Sequence, residues 1–203
     1  MSLPSKLVVF EGADGAGKSS ISTAFLGAVR ELGIAAELLS FPGREPHTLG
    51  ELVYRLHHNP DKLGVGSLTP ASLQALHIAA HLDAIESAIV PALEAGTWIV
   101  LDRYWWSTWV YGVVDGIRRD VLRALIEAER LAWGDWQPAA VFHVTRKEPL
   151  REEPLDKWQR LKAAYEELAE IEHRKYPIHI LNNESTPEAA VGQALNAIGL
   201  HQS

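Results

Sequence analysis

The sequence predicts an α/β fold with three layers, in which helices cover both faces of a five-stranded parallel sheet. Short apolar runs alternate with longer segments of helical periodicity, and glycine or proline separates many of them. Apolar runs without polar alternation are typical of strands that are buried on both faces. Parallel strands need crossover connections, which are usually helices, and the alternation supplies them. A third observation is a glycine-rich segment between the first strand and the first helix.

The first half of the chain begins with the apolar run 7–10, which predicts strand 6–11. Helix 18–32 follows from apolar residues on one face and ends before Gly33. Strand 35–41 is broken by Pro42, and helix 49–57 is stopped by the pair 59–60, Asn-Pro. Segment 61–69 is predicted to be a loop.

In the second half, Thr69 and Thr186 are the predicted N-caps of two helices, because a proline occupies the next position in each case. The remaining predicted strands are 98–101, 139–144 and 178–181. The remaining predicted helices are 70–95, 104–114, 118–132, 155–174 and 187–198.

The composition is that of one folded domain spanning 1–203. Of the 203 residues, 47% are hydrophobic and 22% are charged, which suffices for a core and argues against disorder. The net charge of −7 gives no basic field for nucleic acid or an anionic membrane, so neither is an expected partner. The absence of cysteine excludes disulfides and thiolate metal sites and fits a cytoplasmic location. No signal peptide and no uncharged apolar run of about 18 residues is recognised.

Segment 12–19 reads Gly-Ala-Asp-Gly-Ala-Gly-Lys-Ser and fits the P-loop pattern G-x-x-x-x-G-K-[ST]. Its backbone N–H groups would surround phosphate oxygens, and the positive end of the following helix would face the anion. Lys18 places a charge near the β- and γ-phosphates, and the Ser19 hydroxyl can ligate Mg²⁺. The predicted ATP- and phosphate-binding residues are Gly12, Gly15, Ala16, Gly17, Lys18, Ser19 and Ser20.

Asp102 and Arg103 end the third predicted strand, at the sheet edge where ligands bind in open α/β folds. Asp102 could hold Mg²⁺ opposite Ser19, directly or through water. Arg103 can offer a bidentate fork to a phosphate. A surface ion pair between Asp102 and Arg103 is the alternative.

The second strand ends in the segment 41–44, Phe-Pro-Gly-Arg, at the same edge. Arg44 is a second candidate for binding phosphate, and Phe41 is a candidate flat wall for a base. Ordinary core packing of Phe41 and a solvated Arg44 remain open alternatives.

Taken together, these motifs resemble the thymidylate kinase family of nucleoside-monophosphate kinases, over about residues 6 to 197. The segments 10–19 and 41–44 and the order Asp102-Arg103-Tyr104, Ser107, Tyr111 carry the resemblance. It implies a P-loop NTPase fold and Mg·ATP-dependent conversion of dTMP to dTDP. It also implies a homodimer.

The resemblance assigns acceptor-binding roles at matching positions. Asp14 would contact the sugar 3′-hydroxyl, Arg44 and Arg103 the acceptor phosphate, and Tyr111 the nucleoside. Where the family has an aromatic side chain and an arginine for thymine, this chain has His77 and His81, which could stack and hydrogen-bond. Packing histidines are the alternative, and a metal pair is disfavoured because no third ligand stands at helical spacing.

Members of the family stabilise the migrating phosphoryl group with an arginine from the P-loop or from a lid. This chain has Gly15 and no arginine in the P-loop, so the lid loop, about 146–154, would supply it. The candidates are Arg146, Arg151 and Arg160, and Arg151 is preferred. The predicted catalytic residues are therefore Lys18, Arg103 and Arg151. The loop is short and acidic, and a simple solvated connector is the alternative.

Three tryptophans crowd the helix that follows Asp102: Trp105, Trp106 and Trp109. Core packing explains them, and a dimer interface is the alternative because aromatic residues are enriched in interface cores.

Two other functions remain open. One is a kinase for a deoxynucleoside or another small acceptor on the same fold, and the other is a nucleotide-binding protein with little turnover. A GTPase is disfavoured because the base-reading Asn-Lys-x-Asp signature is absent.

Overall fold

A computed structural model describes residues 5–200. Its five strands lie parallel in one sheet with the order β2-β3-β1-β4-β5, which confirms the predicted fold class. The strands are β1 (Leu7–Glu11), β2 (Ala36–Ser40), β3 (Trp98–Asp102), β4 (Ala140–Thr145) and β5 (Ile178–Asn182). The carboxyl ends of β1, β2 and β3 are adjacent, so the loops that follow them meet at one edge.

Each predicted helix is present, with ends within two residues of those expected. They are α1 (Lys18–Glu31), α2 (Leu49–His58), α3 (Pro70–Ala84), α4 (Val90–Glu94), α5 (Trp105–Val114), α6 (Arg119–Trp133), α7 (Leu155–Glu172) and α8 (Pro187–Ala197).

Two predictions of local structure were incomplete. The helix expected over 70–95 contains a π-helical turn, Ile85–Ile89, between α3 and α4. Pro91 lacks an N–H group and its ring would clash with the carbonyl of Ser87, so widening this turn accommodates it. The loop expected over 61–69 is partly a 3₁₀ turn, Pro60–Leu63, whose first residue is a proline.

Two apolar cores flank the sheet because successive strand side chains point to opposite faces. Val8 and Phe10 contribute to the core that contains Phe25 of α1 and Ala194 of α8. Leu7 and Val9 contribute to the other core, which lies between the sheet and the α3–α7 side. The arrangement fixes β1, and hence the loop after it, from both sides.

Core packing accounts for two of the three clustered tryptophans. Trp105 is 3% exposed and Trp106 is fully buried, and Trp106 Nε1 donates a hydrogen bond to the Tyr176 hydroxyl at 2.8 Å. Trp109 is half-buried, with the Arg119 guanidinium 5.9 Å from its ring centroid. Trp105 and Trp106 are therefore not available to a partner surface.

The helical stretch Pro70–Glu94 has a mean hydropathy of 1.2 over 18 residues and is long enough to cross a membrane on length and composition alone. In this fold it packs against α2, α5 and α6. Its residues Ile85 and Ile89 are fully buried in the core.

Gly50 brings α2 against the turn that follows β2. A Cβ atom at this position would lie 1.9 Å from the Pro42 carbonyl oxygen. We expect Gly50→Ala to lower the free energy of unfolding by about 1–3 kcal/mol, because backbone must move to relieve the overlap. Urea denaturation measures the change.

Gly27→Ala is the matched control, because Gly27 is helical and a Cβ there meets nothing within 4 Å. We expect it to be neutral or to stabilise by about 0.5–1 kcal/mol. Equal effects of the two substitutions would contradict the close packing at Gly50.

Candidate functional site

A cavity of about 660 Å³ opens at the carboxyl edge of the sheet, within the range of about 300–1,000 Å³ for ligand sites. The P-loop, α2, α3, α5 and the loop before α7 all contribute to its walls. The predicted site residues that line it are Asp14, Gly15, Gly17, Lys18, Ser19, Ser20, Phe41, Arg44, His77, His81, Asp102, Arg103, Tyr111 and Arg151. Gly12 and Ala16, also predicted, are buried and do not line it.

The P-loop has the conformation that its glycines permit. Gly12 has φ 147°, and a Cβ there would lie 2.2 Å from the Val144 carbonyl oxygen. Gly17 has φ 93° and is the N-cap of α1. Ala16 N–H donates to the Ala13 carbonyl at 3.1 Å, while the buried Asn183 amide donates to the Ala16 carbonyl at 2.8 Å. β1, β4 and the residue after β5 thus hold the loop.

Lys18 is 5% exposed, and its ammonium group donates to the Ala13 carbonyl at 3.0 Å. Burial, followed by repulsion from Arg103, lowers the pKa of Lys18 from 10.5 to about 8. Asp14, whose carboxylate lies 3.8 Å away, opposes that shift. A phosphate next to Lys18 would favour its charged form.

We expect the affinity for ATP to fall by about tenfold between pH 7.5 and pH 9.5. The protonated lysine attracts phosphate, and the free protein loses that proton as the pH rises through about 8. Isothermal titration calorimetry across this range measures the effect. Lys18→Arg should show a flat profile, because arginine stays charged, and a flat profile in the native protein would contradict the assignment.

Ser19 of the P-loop and Asp102 at the end of β3, the two residues predicted as Mg²⁺ ligands, are in direct contact. The Ser19 hydroxyl donates to Asp102 Oδ2 at 2.5 Å, and Asp102 Oδ1 is buried without a hydrogen-bond partner in the described residues. Hydroxyl and carboxylate oxygens are the ligands that Mg²⁺ prefers. An unpaired carboxylate oxygen is costly to bury, so the pair fits a cation that would satisfy it.

Arg103 lines the cavity and forms its ion pair with Asp14 rather than with Asp102. Its backbone has φ 77°, a left-handed conformation that costs free energy for a non-glycine residue. Its guanidinium contacts the Asp14 carboxylate and donates to the Ser107 hydroxyl at 3.2 Å. The strained backbone aims the side chain at the P-loop.

The charge state of Asp14 follows from these neighbours. Burial would raise its pKa, but the charges of Arg103 and then Lys18 outweigh it and hold the pKa of Asp14 well below its usual range. The Tyr111 hydroxyl accepts the Asp14 N–H at 3.1 Å. Asp14 is thus an ionised acceptor at neutral pH.

Glu11 is a buried carboxylate beside the P-loop that the sequence analysis did not identify. It accepts hydrogen bonds from Tyr104 N–H at 2.7 Å, Ser107 N–H at 3.0 Å, the Ser107 hydroxyl at 2.9 Å and the Tyr165 hydroxyl at 3.1 Å. Burial raises its pKa, while Arg103 and Lys18 oppose the rise. The available sequence signal was its position directly after the apolar run of β1. A charged residue there is expected to be buried, and a buried charge requires hydrogen-bond partners.

The lid loop lies against the P-loop. Leu150 N–H donates to the Gly15 carbonyl at 2.9 Å, and the Trp158 indole donates to the Asp14 carbonyl at 2.7 Å. The Arg151 guanidinium lies 3.4 Å from the Asp14 carboxylate and also pairs with Glu153 at 2.7 Å. The loop therefore contacts the P-loop, while the Arg151 side chain itself is 61% exposed.

The other two lid candidates have different partners. Arg146 Nε donates to the Glu148 carbonyl at 2.5 Å, and Arg160 pairs with the exposed Asp156 at 3.3 Å on α7. Neither lines the cavity. Of the three lid candidates, Arg151 alone reaches the P-loop side chains.

The wall opposite the P-loop is aromatic. Phe41 is 4% exposed and belongs to the apolar core, and His81 stacks on it with ring centroids 4.0 Å apart and planes at 11°. The Arg44 guanidinium lies 4.5 Å from the Tyr54 ring centroid.

His77 and His81 have separate partners. His77 Nε2 lies 3.2 Å from His57 Nδ1, and His81 Nδ1 lies 2.8 Å from Glu129 Oε2. Burial, followed by repulsion from His81 and His57, lowers the pKa of His77 well below its usual value. Within residues 5–200, no group of three or more His, Cys, Asp or Glu side chains could hold a metal ion.

Comparison with known proteins points to one family. The sequence model of thymidylate kinase matches residues 10–191. Thymidylate kinase of a Bradyrhizobium species is 33% identical over 135 residues, 66% of this chain and 56% of the relative. That of Legionella pneumophila strain Paris is 32% identical over 145 residues, 70% of this chain and 65% of the relative. The match therefore spans less than two thirds of either relative's length.

The crystal structure of thymidylate kinase from Ehrlichia chaffeensis is similar over nearly the whole fold. It covers 95% of this chain and 97% of its own, with a TM-score of 0.76 and 19% sequence identity. At that identity, the likeness concerns the fold alone.

Proposed function

This chain belongs to the thymidylate kinase family, and from that premise we propose that it transfers the γ-phosphoryl group of Mg·ATP to dTMP, giving dTDP and ADP. The observation that carries the proposal is one cavity in which Lys18 and the Ser19–Asp102 pair face Arg103 and Asp14. The first set of residues would hold the donor phosphates and the second set the acceptor nucleotide, so the two phosphates would lie next to each other, as in-line transfer requires.

On the donor side, the P-loop N–H groups and the N-terminus of α1 would bind the β- and γ-phosphates. Lys18, released from the Ala13 carbonyl, would place its charge on the same oxygens. Ser19 and Asp102 would hold Mg²⁺, which neutralises phosphate charge when it is bound. Burial of Lys18 strengthens its pull on an anion, because water screens it less.

On the acceptor side, Arg103 would exchange part of its contact with Asp14 for the phosphate of dTMP. The ionised Asp14 would then accept a hydrogen bond from the 3′-hydroxyl of the sugar. Arg44 can turn from Tyr54 toward the same phosphate, since it lines the cavity and its guanidinium pairs with no carboxylate in the described residues.

During transfer, a phosphate oxygen of dTMP forms a bond to the γ-phosphorus while the bond from that phosphorus to the β–γ bridging oxygen breaks. The acceptor is already an anion, so no side chain needs to act as a strong base. Arg151, which reaches Asp14 from the lid, is placed to neutralise the charge that develops.

The test is ADP release with Mg·ATP and a panel of deoxynucleoside monophosphates and deoxynucleosides. We expect turnover chiefly with dTMP, and none with thymidine, because Arg103 and Arg44 bind a phosphate. The substitution Arg44→Gln tests the acceptor side: it should raise the KM for dTMP and have less effect on the KM for ATP.

Two other outcomes would overturn the proposal. Turnover with a nucleoside would favour a kinase for that acceptor on the same fold. ATP binding without ADP release for any acceptor would favour a nucleotide-binding protein. A homodimer and a cytoplasmic location remain predictions, which size-exclusion chromatography with light scattering and cell fractionation can test.

A further inference from the structure

Glu129 is a fully buried carboxylate on α6 that does not line the acceptor cavity. Its Oε2 lies 2.8 Å from His81 Nδ1, and its Oε1 accepts the Trp133 indole N–H at 3.3 Å. A buried carboxylate is retained only where donors satisfy both oxygens, and here each oxygen has one. An ionised carboxylate can only accept hydrogen bonds, so the contact with Glu129 favours the tautomer of His81 that carries its proton on Nδ1.

His81 is held on its other sides as well. Its ring stacks on Phe41 at 4.0 Å and lies 6.1 Å from His77, and it is 2% exposed. Its Nε2 makes no hydrogen bond within residues 5–200. Among the described residues, the fully buried side-chain nitrogen and oxygen atoms without a hydrogen-bond partner are Asp102 Oδ1, His143 Nδ1 and Thr145 Oγ1. In the described part of the chain, His81 Nε2 has no partner and is not among these atoms, so it is not fully buried. It is the polar atom that His81 offers to the cavity.

We propose that Glu129 is a positioning residue for the acceptor site, and that by holding His81 with Nε2 toward the cavity it sets the choice of nucleobase. This inference rests on the proposed function, because it needs a nucleotide in that cavity. In the tautomer with the proton on Nδ1, Nε2 carries a lone pair and accepts a hydrogen bond. It therefore matches a base with a ring N–H, as thymine and uracil have and cytosine lacks.

Glu129→Gln tests the inference with little change in volume. The amide can donate its NH₂ to Nδ1, which moves the ring proton to Nε2 and turns that atom from acceptor to donor. We expect the KM for dTMP to rise about tenfold, with kcat and the KM for ATP within about twofold. The ratio of kcat/KM for dTMP to kcat/KM for dCMP should fall in the same variant.

Glu127→Gln is the matched control, since Glu127 is exposed on the same helix. It should change none of these constants. If Glu129→Gln impaired kcat, the KM for ATP and the KM for dTMP to the same extent, or left the KM for dTMP unchanged, the proposal would be overturned. Glu129→Gln should also have no further effect in a His81→Phe background, because Glu129 acts through His81.

A second measurement uses the native protein, so it requires neither turnover nor a correctly folded variant. In ¹⁵N-labelled native protein, His81 should show a protonated Nδ1 and an unprotonated Nε2, and the Nε2 resonance should shift with dTMP or dUMP. A resonance that does not move with either, or that moves equally with dCMP, would overturn the inference. If the protein fails to phosphorylate dTMP, the proposed function fails while this titration still reports on His81.

Discussion

Lys18→Met is expected to lower kcat/KM for Mg·ATP by about a thousandfold or more. In the proposed function, the ammonium group is the positive charge of the P-loop that would lie against the transferring phosphate, and preorganised charges of this kind contribute about 10²–10³ or more in rate. Because the lysine is 5% exposed, solvent cannot replace its charge when methionine takes its place.

The same substitution should stabilise the nucleotide-free protein. The folded-state pKa of Lys18, about 8, lies below its unfolded value of 10.5. The folded state thus binds fewer protons between these values, so stability rises with pH across this window and the full cost is present below pH 8. Removing the charge at pH 7 should raise the free energy of unfolding by up to about 3 kcal/mol.

Coupled-assay kinetics and thermal unfolding without nucleotide measure the two effects. Lys62→Met, at an exposed lysine of the 3₁₀ turn, is the control and should change neither. A Lys18→Met protein that keeps its turnover, or that unfolds at a lower temperature than the native protein, would contradict the assigned role.

Arg103→Met should lower kcat/KM for dTMP by about a hundredfold to a thousandfold, through the fork it would offer to the acceptor phosphate. It also removes the charge that holds Asp14 ionised and in place. The KM for ATP should change much less, because two hydrogen bonds that hold the P-loop do not involve Arg103: Lys18 donates to the Ala13 carbonyl and Asn183 donates to the Ala16 carbonyl.

Arg103→Lys should recover only part of the loss, since an ammonium group cannot bind phosphate and Asp14 in the same bidentate geometry. Arg118→Met is the matched control, because Arg118 is an exposed arginine paired with Asp120. Steady-state kinetics with each substrate varied in turn separate the two constants. An equal loss toward ATP and dTMP would indicate a collapsed site and not a lost acceptor contact.

Much of this site could be predicted because its signals are local. The glycines of segment 12–19 stand at the spacing at which a loop can turn its N–H groups inward, and the strand and helix beside it are adjacent in sequence. Asp102 and Arg103 could be placed because residues after parallel strands meet at one sheet edge. The positions in the cavity of Asp14, Tyr111 and Arg151 agree with the resemblance, while their roles stay predictions.

The sequence by itself determined the alternation of strands and helices, the P-loop and the family resemblance, because each depends on residues close together in the chain. The tertiary structure alone decided the strand order and the partners of the buried charges. Glu11 binds groups 93 to 154 residues away, and Glu129 lies 48 residues from His81. Such contacts form where packing excludes water, and no spacing in the sequence encodes them.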